Sequence, residues 1–234
     1  MARSFKKRLR RRLRDAQGSL ETPWQRLLAH VDLVAFDLGA FRWLRPNLHQ
    51  VAPGVYRSAQ PSPRMLRRLS RQGVRTIVNL RGADDSGAYK LESRTATTLG
   101  LRLIDLRMKS RDIPDEQTLV ALSDIFLTAD KPLVFHCKSG ADRAGLAAAI
   151  YLMLAENRSA AEAIGQLHWR FGHVRRGMPG ILTTFLETYR DEGEPRRLGL
   201  IDWRRRHCDI VAVHDRFQPT RFARVLTDRI LRRE

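Results

Sequence analysis

Cysteine is scarce in this chain. Only two cysteines, Cys137 and Cys208, occur among 234 residues. Two thiols cannot form the disulfide framework of a small secreted protein, and so few of them are typical of a reducing compartment. We therefore predict a cytoplasmic location, in which each thiol is either inert or catalytic.

Long apolar runs are also missing. The best candidate for a membrane span, residues 27–44, is interrupted by four ionisable residues: His30, Asp32, Asp37 and Arg42. That is too many for a lipid-facing helix. The basic start of the chain is followed by the polar residues 15–22, where a secretion signal requires an apolar stretch. We interpret residues 27–44 as a partly buried helical segment and expect no cleaved signal of that kind.

Nucleotide and metal motifs are absent from the sequence. It contains neither a GxGxxG nor a Walker pattern, and it has no internal repeat. His168 and His173 lie five residues apart without a third spaced ligand, so we expect them on a helix face rather than at a metal. We predict no metal and no other cofactor.

Positive charge dominates at both ends of the chain. Lys and Arg number 43 against 25 Asp and Glu, which gives a net charge of +18. Residues 1–14 hold eight basic and no acidic residues, and residues 196–234 hold eleven basic against five acidic. This distribution predicts a basic N-terminal arm and helical segment at 1–44, a globular domain at 45–192, and a basic C-terminal extension at 193–234. The partners of so basic a protein should be anionic.

The first residues have the pattern of a basic amphipathic helix. Phe5, Leu9 and Leu13 fall four residues apart among Lys and Arg. Such a helix is either a solvated arm or a contact for an anionic surface. An anionic membrane is the candidate partner, which would place the protein at the membrane periphery. Nucleic acid is the less favoured alternative.

The centre of the chain alternates short β-rich runs with helical patterns, which is typical of an α/β fold. The predicted strands are residues 74–80, 101–106 and 133–136, and the predicted helices are residues 63–73, 91–99, 144–155 and 181–190. Asp112 is predicted to open a further helix with Pro114 in its first turn. Ser159 and Glu162 form a capping-box pattern for a helix through about Phe171.

The segment VFHCKSGADRAG at residues 134–145 carries the most specific pattern. A strand leads to Cys137, five residues intervene, and Arg143 begins a helix. The backbone N–H groups of such a loop and the helix N-terminus favour a phosphate dianion, and Arg143 can bind two of its oxygens. The same positive field favours the thiolate form of Cys137, which can attack phosphorus. Gly140 lets the loop approach the anion, and Gly145 lets the helix pack tightly.

His136, Cys137 and Arg143 match the signature His-Cys-x5-Arg, and the sequence here resembles the cysteine-dependent protein phosphatases. It is most similar to the compact dual-specificity branch, particularly to bacterial members and to the atypical group that includes plant and fungal inositol-pyrophosphate-type phosphatases. Three further segments carry the resemblance: PGVYRSAQP at residues 53–61, VNLRG at residues 78–82 and IPDE at residues 113–116.

This resemblance covers roughly residues 45–190 and implies both a fold and a site. The fold is an α/β domain with a central four- to five-stranded, mostly parallel sheet flanked by helices, and the signature loop lies at the carboxyl end of a central strand. Cys137 would become a phosphocysteine, while His136 would orient the loop and tune the thiolate. The phosphate would be bound by the loop residues Lys138, Ser139, Gly140, Ala141, Asp142 and Arg143.

The resemblance also implies an aspartic acid on a mobile loop that protonates the leaving oxygen and then activates water. Asp112 is our first choice, because it lies in the connecting loop 25 residues before Cys137, where related bacterial sequences place their acid. Asp115, at a helix start, and Asp105, inside a strand pattern, remain alternatives.

Two positions depart from the family pattern. Ala144 stands where most members carry Ser or Thr to help the thiolate leave the phosphoenzyme, so the second step is expected to be slow. Lys138 adds positive charge as in relatives that favour highly phosphorylated lipids or inositols, but their second loop lysine is missing from residues 141–142. Arg57 and Arg81 resemble motif arginines, and the sequence leaves their roles open.

The predicted function is the hydrolysis of phosphate monoesters through a phosphocysteine. Proteins that carry phosphotyrosine, phosphoserine or phosphothreonine are the first substrate class, and phosphoinositides or soluble inositol phosphates are the alternative. A non-catalytic phosphate- or nucleic-acid-binding module and a rhodanese-like sulfurtransferase are rival interpretations.

Overall fold

A single five-stranded sheet forms the centre of the computed structural model, which describes residues 2–36 and 46–220. The strands are β1 (His49–Ala52), β2 (Val55–Ala59), β3 (Thr76–Asn79), β4 (Arg102–Asp105) and β5 (Leu133–Cys137). Their order in the sheet is β1-β2-β5-β3-β4. Within this sheet β1 runs antiparallel to β2, and the other neighbours are parallel. The predicted α/β fold with a mostly parallel sheet is confirmed.

Helices flank the sheet on both faces. In the described part of the chain they are α1 (Ala2–Gln17), α2 (Pro23–Phe36), α3 (Pro63–Arg71), α4 (Gly87–Thr98), α5 (Glu116–Thr128), α6 (Arg143–Ala155), α7 (Ala160–Ala163), α8 (Ile181–Glu192), α9 (Leu200–Arg206) and α10 (Ile210–Arg216). The predicted strands and most predicted helices agree with these bounds to within a few residues.

The central strand β5 is buried along its whole length. Because side chains alternate across a strand, Val134 packs with α3 on one face, while Phe135 and Cys137 belong to a larger cluster with α5, α6 and α8 on the other. The sequence of a strand that is covered on both faces is typically a continuous apolar run, as it is from Leu133 to Phe135. The loop that follows Cys137 therefore begins from a rigid support.

The helix predicted from Ser159 is shorter than expected. Its capping box is present, since the Ser159 hydroxyl accepts from the Glu162 N–H and the Glu162 carboxylate accepts from the Ser159 N–H. However, α7 ends at Ala163 and two short 3₁₀ turns follow it. The carbonyls of Gln166 and Phe171 accept hydrogen bonds from distant side chains instead of continuing a helix.

Two other helix starts differ from the prediction because of their caps. Helix α4 begins at Gly87, four residues early, since the Ser86 hydroxyl accepts from the Tyr89 N–H at 3.2 Å. Helix α5 begins at Glu116 with Asp115 as its N-cap, so Pro114 precedes the helix rather than lying in its first turn.

Helix α2 packs against both α1 and α4. The Asp32 carboxylate accepts from the Gly87 N–H at 2.8 Å. A Cβ on Gly87 would lie 2.5 Å from the Ala29 carbonyl oxygen, so α2 and α4 touch backbone to backbone. The helices expected at the N-terminus are present as far as residue 36, while residues 37–44 of the predicted helical segment lie outside the described residues.

The C-terminal helices α9 and α10 share the larger core. Leu200, Trp203 and Val213 are buried in it. The domain boundary at residue 193 remains a prediction, and residues 221–234 of the predicted extension are outside the described part. Among the residues that are described, no helix has the length and apolarity needed to cross a membrane. The cytoplasmic location also remains a prediction.

Candidate active site

The predicted loop lies where β5 meets α6. Cys137 is the last residue of β5, residues 138–142 form the loop, and Arg143 is the first residue of α6. Cys137 and Arg143 are both buried. Gly140 has a φ of +72°, and a Cβ there would lie 2.6 Å from the Ala59 nitrogen. The loop therefore packs directly on the backbone of β2, and only glycine fits at this position.

Donors on the outer side of the loop bind four of its carbonyls in succession. The Gln60 N–H approaches the Lys138 oxygen at 3.5 Å, and the Asn47 side chain donates to the Ser139 oxygen at 2.9 Å. Arg57 Nη2 donates to the Gly140 and Ala141 oxygens at 2.7 and 3.1 Å. Because a trans peptide directs its N–H opposite to its carbonyl, the N–H groups of residues 139–142 face away from these donors. The loop thus presents its N–H groups to an anion.

Arg57 is a buried cation beneath this loop. Besides the two loop carbonyls, its guanidinium donates to the backbone and side-chain oxygens of Gln166 at 2.7 and 2.9 Å. It also lies over the Phe171 ring, 4.2 Å from the centroid. Burial lowers the pKa of Arg57 to about 10, although the negative charges of Cys137 and Asp142 act in the opposite direction. The ambiguity that the sequence left at Arg57 is resolved by these contacts.

His136 is paired with a carboxylate that sequence analysis did not select. Glu92 Oε1 lies 2.6 Å from His136 Nε2, and both side chains are fully buried. The geometry is not that of a linear hydrogen bond, and the contact becomes an ion pair only when His136 is protonated. Gln60 donates to the other Glu92 oxygen at 2.7 Å, and Arg81 in turn donates to Gln60. This buried network supports the loop from the α4 side.

Asp142 occupies the N-cap position of α6 but does not cap the helix. Its carboxylate contacts His173 Nδ1 at 2.8 Å, and His173 Nε2 contacts the Thr183 hydroxyl at 2.9 Å. His173 is therefore buried against the loop, which corrects the expectation of a helix-face histidine. His168 likewise starts a 3₁₀ turn rather than lying on a helix face. The N-terminus of α6 adds positive potential that favours an anion at this end of the loop.

Two of the three candidate acids have other partners. Asp105 accepts hydrogen bonds from Asn79 Nδ2 at 2.7 Å and from the Tyr89 hydroxyl at 2.6 Å. Burial, followed by this bond to Asp105, raises the pKa of Tyr89. Asp115 caps α5 by accepting from the Thr118 N–H at 2.8 Å, and hydrogen bonds from the Thr118 side chain and N–H lower the pKa of Asp115. Both carboxylates thus have a structural role.

Asp112 lies in the segment between β4 and α5, which has no regular secondary structure. Its carboxylate is partly exposed and contacts Lys109 Nζ at 2.8 Å. Burial acts to raise the pKa of Asp112, but Lys109, the Ile113 N–H and His214 outweigh it, and the pKa lies below its ordinary value. Arg143 Nη1 donates to the Met108 oxygen at 3.5 Å, which connects this segment to the end of the loop at residues 138–142.

Ala144 is completely buried behind the loop. The neighbouring Gly145 allows the close packing that the sequence predicts, because a Cβ there would lie 3.1 Å from Arg57 Nη2 and 3.0 Å from the Gln166 oxygen. Of the supporting residues that sequence analysis missed, Asn47 alone carries a local signal, since asparagine is enriched at positive φ and Asn47 has a φ of +50°. Glu92 and Gln60 carry none, because their partners lie far away in the sequence.

Comparisons with known proteins agree with this geometry. A family model described as "DSP-PTPase phosphatase fused to NAD+ Kinase" matches residues 45–174, which is more than half of the chain. The chain is 28% identical over 128 residues to the dual specificity protein phosphatase TpbA of Pseudomonas aeruginosa PAO1, covering 54% of this chain and 56% of TpbA. The chain thus spans about half the length of the curated relatives it matches.

Solved structures show the same fold. The core catalytic domain of the PP-IP phosphatase Siw14 from S. cerevisiae is 22% identical, with a TM-score of 0.51 over 64% of this chain and 90% of that one. Tk-PTP in its active form is 21% identical, with a TM-score of 0.50 over 64% of this chain and 99% of that one.

Proposed function

The chain belongs to the DSP-PTPase phosphatase family whose model matches residues 45–174, and from this premise we propose that it hydrolyses phosphate monoesters through a phosphocysteine. The observation that carries the proposal is the set of four loop carbonyls bound from outside, which leaves the loop N–H groups facing an anion above Cys137. This arrangement is suited to a dianion with three equatorial oxygens.

In the first step the Cys137 thiolate attacks phosphorus and the bond to the leaving oxygen breaks. Arg143 and the loop N–H groups bind the non-bridging oxygens, and Asp112 donates a proton to the leaving oxygen. In the second step the Asp112 carboxylate takes a proton from water, whose oxygen attacks phosphorus. The P–S bond breaks, and phosphate and the Cys137 thiolate are released. Ala144 supplies no hydroxyl for the departing thiolate, which makes this step the slower one.

The test is the hydrolysis in EDTA of an aryl phosphate with a poor leaving group, such as phenyl phosphate. We expect Cys137→Ser to abolish turnover. Asp112→Asn should lower turnover by at least about tenfold, a conservative bound because a general acid typically contributes about a hundredfold or more. Cys208→Ser is the matched cysteine control. Asp115→Asn is the matched acid control, because Asn also caps a helix well. Both controls should retain activity.

Three outcomes would contradict this proposal. Vanadate binding by a wild-type protein that shows no turnover would indicate a non-catalytic phosphate-binding module. Sulfur transfer from thiosulfate would indicate a sulfurtransferase. If Asp115→Asn loses more turnover than Asp112→Asn does, the role of general acid would pass to Asp115.

Phosphoproteins are the proposed substrates, since the curated relative TpbA is named a dual specificity protein phosphatase. Inositol phosphates or phosphoinositides are the second candidate class. They are favoured by the positive charge of Lys138 in the loop. Phosphate release from phosphopeptides and from inositol phosphates, compared at equal concentration, separates the two classes.

We also propose that α1 and α2 contact an anionic membrane surface. Trp24, Leu27 and Val31 of α2 follow the spacing of one helix face and are 64, 52 and 41% exposed. The adjacent α1 exposes three arginines: Arg8, Arg11 and Arg12. An exposed apolar stripe beside a cationic helix matches the interface of an anionic bilayer.

Co-sedimentation with vesicles tests this contact. We expect binding to vesicles that contain phosphatidylserine, weak binding to pure phosphatidylcholine, and weaker binding at high salt. Trp24→Ala should reduce binding, and Trp169→Ala is the matched control because Trp169 is also exposed but lies outside this surface. Equal binding to both kinds of vesicle, or equal loss in both variants, would refute the proposal.

A further inference from the structure

Helices α9 and α10 lie beyond the residues that the family model matches, yet they are built into the core. Trp203 of α9 is completely buried. Its ring lies 5.7 Å from the ring of Phe185 and 5.4 Å from that of Tyr189, both on α8. Val213 anchors α10 in the same cluster. The two helices are thus held firmly, and their outer residues have defined positions.

From this position the two helices contact the segment that carries Asp112. Arg204 Nε donates to the Pro114 oxygen at 2.9 Å. His214 Nε2 lies 3.6 Å from Asp112 Oδ1. Next to Arg204, Arg205 pairs at 2.6 Å with Glu116, the first residue of α5. One contact reaches the backbone of the segment, one reaches the carboxylate, and one reaches the helix that follows.

We propose that α9 and α10 hold the Asp112 segment where its carboxylate can reach the leaving oxygen, with Arg204 and His214 as positioning residues. The inference rests on the proposed phosphatase function and on Asp112 as its acid. It assigns a role to residues that lie outside the matched family region.

The physical argument starts from the irregular backbone of the segment. Residues 106–115 include no helix or strand that would fix them, so their position depends on contacts with neighbouring elements. Near Cys137 the segment is held by Met108, whose oxygen accepts from Arg143 and whose N–H donates to the Leu80 oxygen. Pro114 has no N–H, so its carbonyl is the backbone group that a neighbour can bind at the other end. The charged Arg204 makes this a charge-assisted bond.

A general acid depends on such positioning more than a nucleophile does. The acid acts only when its proton lies within hydrogen-bond distance of the leaving oxygen. Release of Pro114 would let the carboxylate occupy many positions, and a displacement of about 1 Å can lower a rate by about a hundredfold. The loss should be greatest for substrates whose leaving group requires protonation.

The experiment compares two aryl phosphates on the full chain. Phenyl phosphate has a poor leaving group that needs an acid, and 4-nitrophenyl phosphate has a good one that needs little help. We expect Arg204→Ala to lower kcat/KM for phenyl phosphate by about tenfold or more, a part of the general-acid contribution. The value for 4-nitrophenyl phosphate should change by less than about threefold, because the nucleophile and the loop are intact. Arg204→Lys should recover part of the loss.

Arg206→Ala is the matched control, since Arg206 is an exposed arginine of the same helix. His214→Gln is a second variant at an exposed site, and it keeps the test valid if Arg204→Ala does not fold. We expect His214→Gln to show the same substrate dependence in a weaker form. A thermal unfolding midpoint for each variant separates loss of positioning from loss of fold.

Asp112→Asn in the same assay distinguishes a failure of the proposed function from a failure of the inference about α9 and α10. If Asp112→Asn shows no leaving-group dependence, the assignment of the acid fails. Suppose instead that Asp112→Asn shows the leaving-group dependence, while Arg204→Ala and His214→Gln lower kcat/KM equally for both substrates or not at all. The inference about α9 and α10 is then overturned, and the proposed function stands.

Discussion

At the scale of single residues, the shape of the loop at residues 138–142 depends on side chains that need not touch the substrate. Arg57 binds two loop carbonyls, Asn47 binds a third, and Glu92 pairs with the histidine that precedes Cys137. These groups lie outside or beneath the loop. Their effect on an anion is therefore indirect, through the orientation of the peptides and through charge.

Replacement of Arg57 by lysine should weaken oxyanion binding. A single ammonium group cannot reach both the loop carbonyls and Gln166, and each buried carbonyl left without a donor costs about 1–3 kcal/mol. We expect the inhibition constant of orthovanadate to rise by about tenfold or more. Arg170→Lys is the control, because Arg170 lies over the same Phe171 ring but is exposed. An unchanged constant in Arg57→Lys would mean that the loop keeps its shape without this residue.

At the scale of elements, the segment between β4 and α5 determines the protonation of the proposed acid. Lys109→Met removes the strongest of the contacts that lower the pKa of Asp112, while the burial that raises it remains. The pKa of Asp112 should therefore rise. Because the acid must be protonated to act, the basic limb of the kcat/KM profile should move to higher pH.

The control for Lys109→Met is Lys131→Met. Lys131 contacts the Tyr151 hydroxyl and lies just before β5, at the end of the strand opposite to Cys137. Its removal should leave the pH profile unchanged. A basic limb that moves to lower pH in Lys109→Met, or that moves equally in both variants, would exclude Asp112 as the titrating acid.

At the scale of the whole molecule, we expect α9 and α10 to unfold together with the sheet, because they share its larger core. Trp203→Ala should lower the free energy of unfolding by about 3–5 kcal/mol, because it removes a completely buried indole from the larger core. Urea unfolding followed by circular dichroism and by fluorescence should give coincident single transitions. Trp169→Ala, at an exposed tryptophan, should change the stability by less than about 0.5 kcal/mol. A separate early transition in the wild type would instead indicate an independent C-terminal unit.

Much of the fold could be predicted because its signals are local. The run from Val134 to Cys137, the single glycine of the loop and the apolar residues of α6 specify a strand, a turn and a helix within a few residues of one another. The capping box at Ser159 was also recognised, but the length of its helix was overestimated. The carbonyls of Gln166 and Phe171 bind Arg57 and Asn47, and no pattern near residue 166 indicates partners so far away.

The sequence by itself determined the α/β class and led to the proposals of Cys137 as nucleophile and Arg143 as phosphate-binding arginine, because these follow from residue types at short and fixed spacings. Only the tertiary structure brought Glu92 to His136, Arg57 to the loop carbonyls, and Arg204 to Pro114. The last two pairs are separated by 83 and 90 residues. The physical reason is that hydrogen bonds and ion pairs act over a few ångströms in space, and the distance along the chain does not encode them.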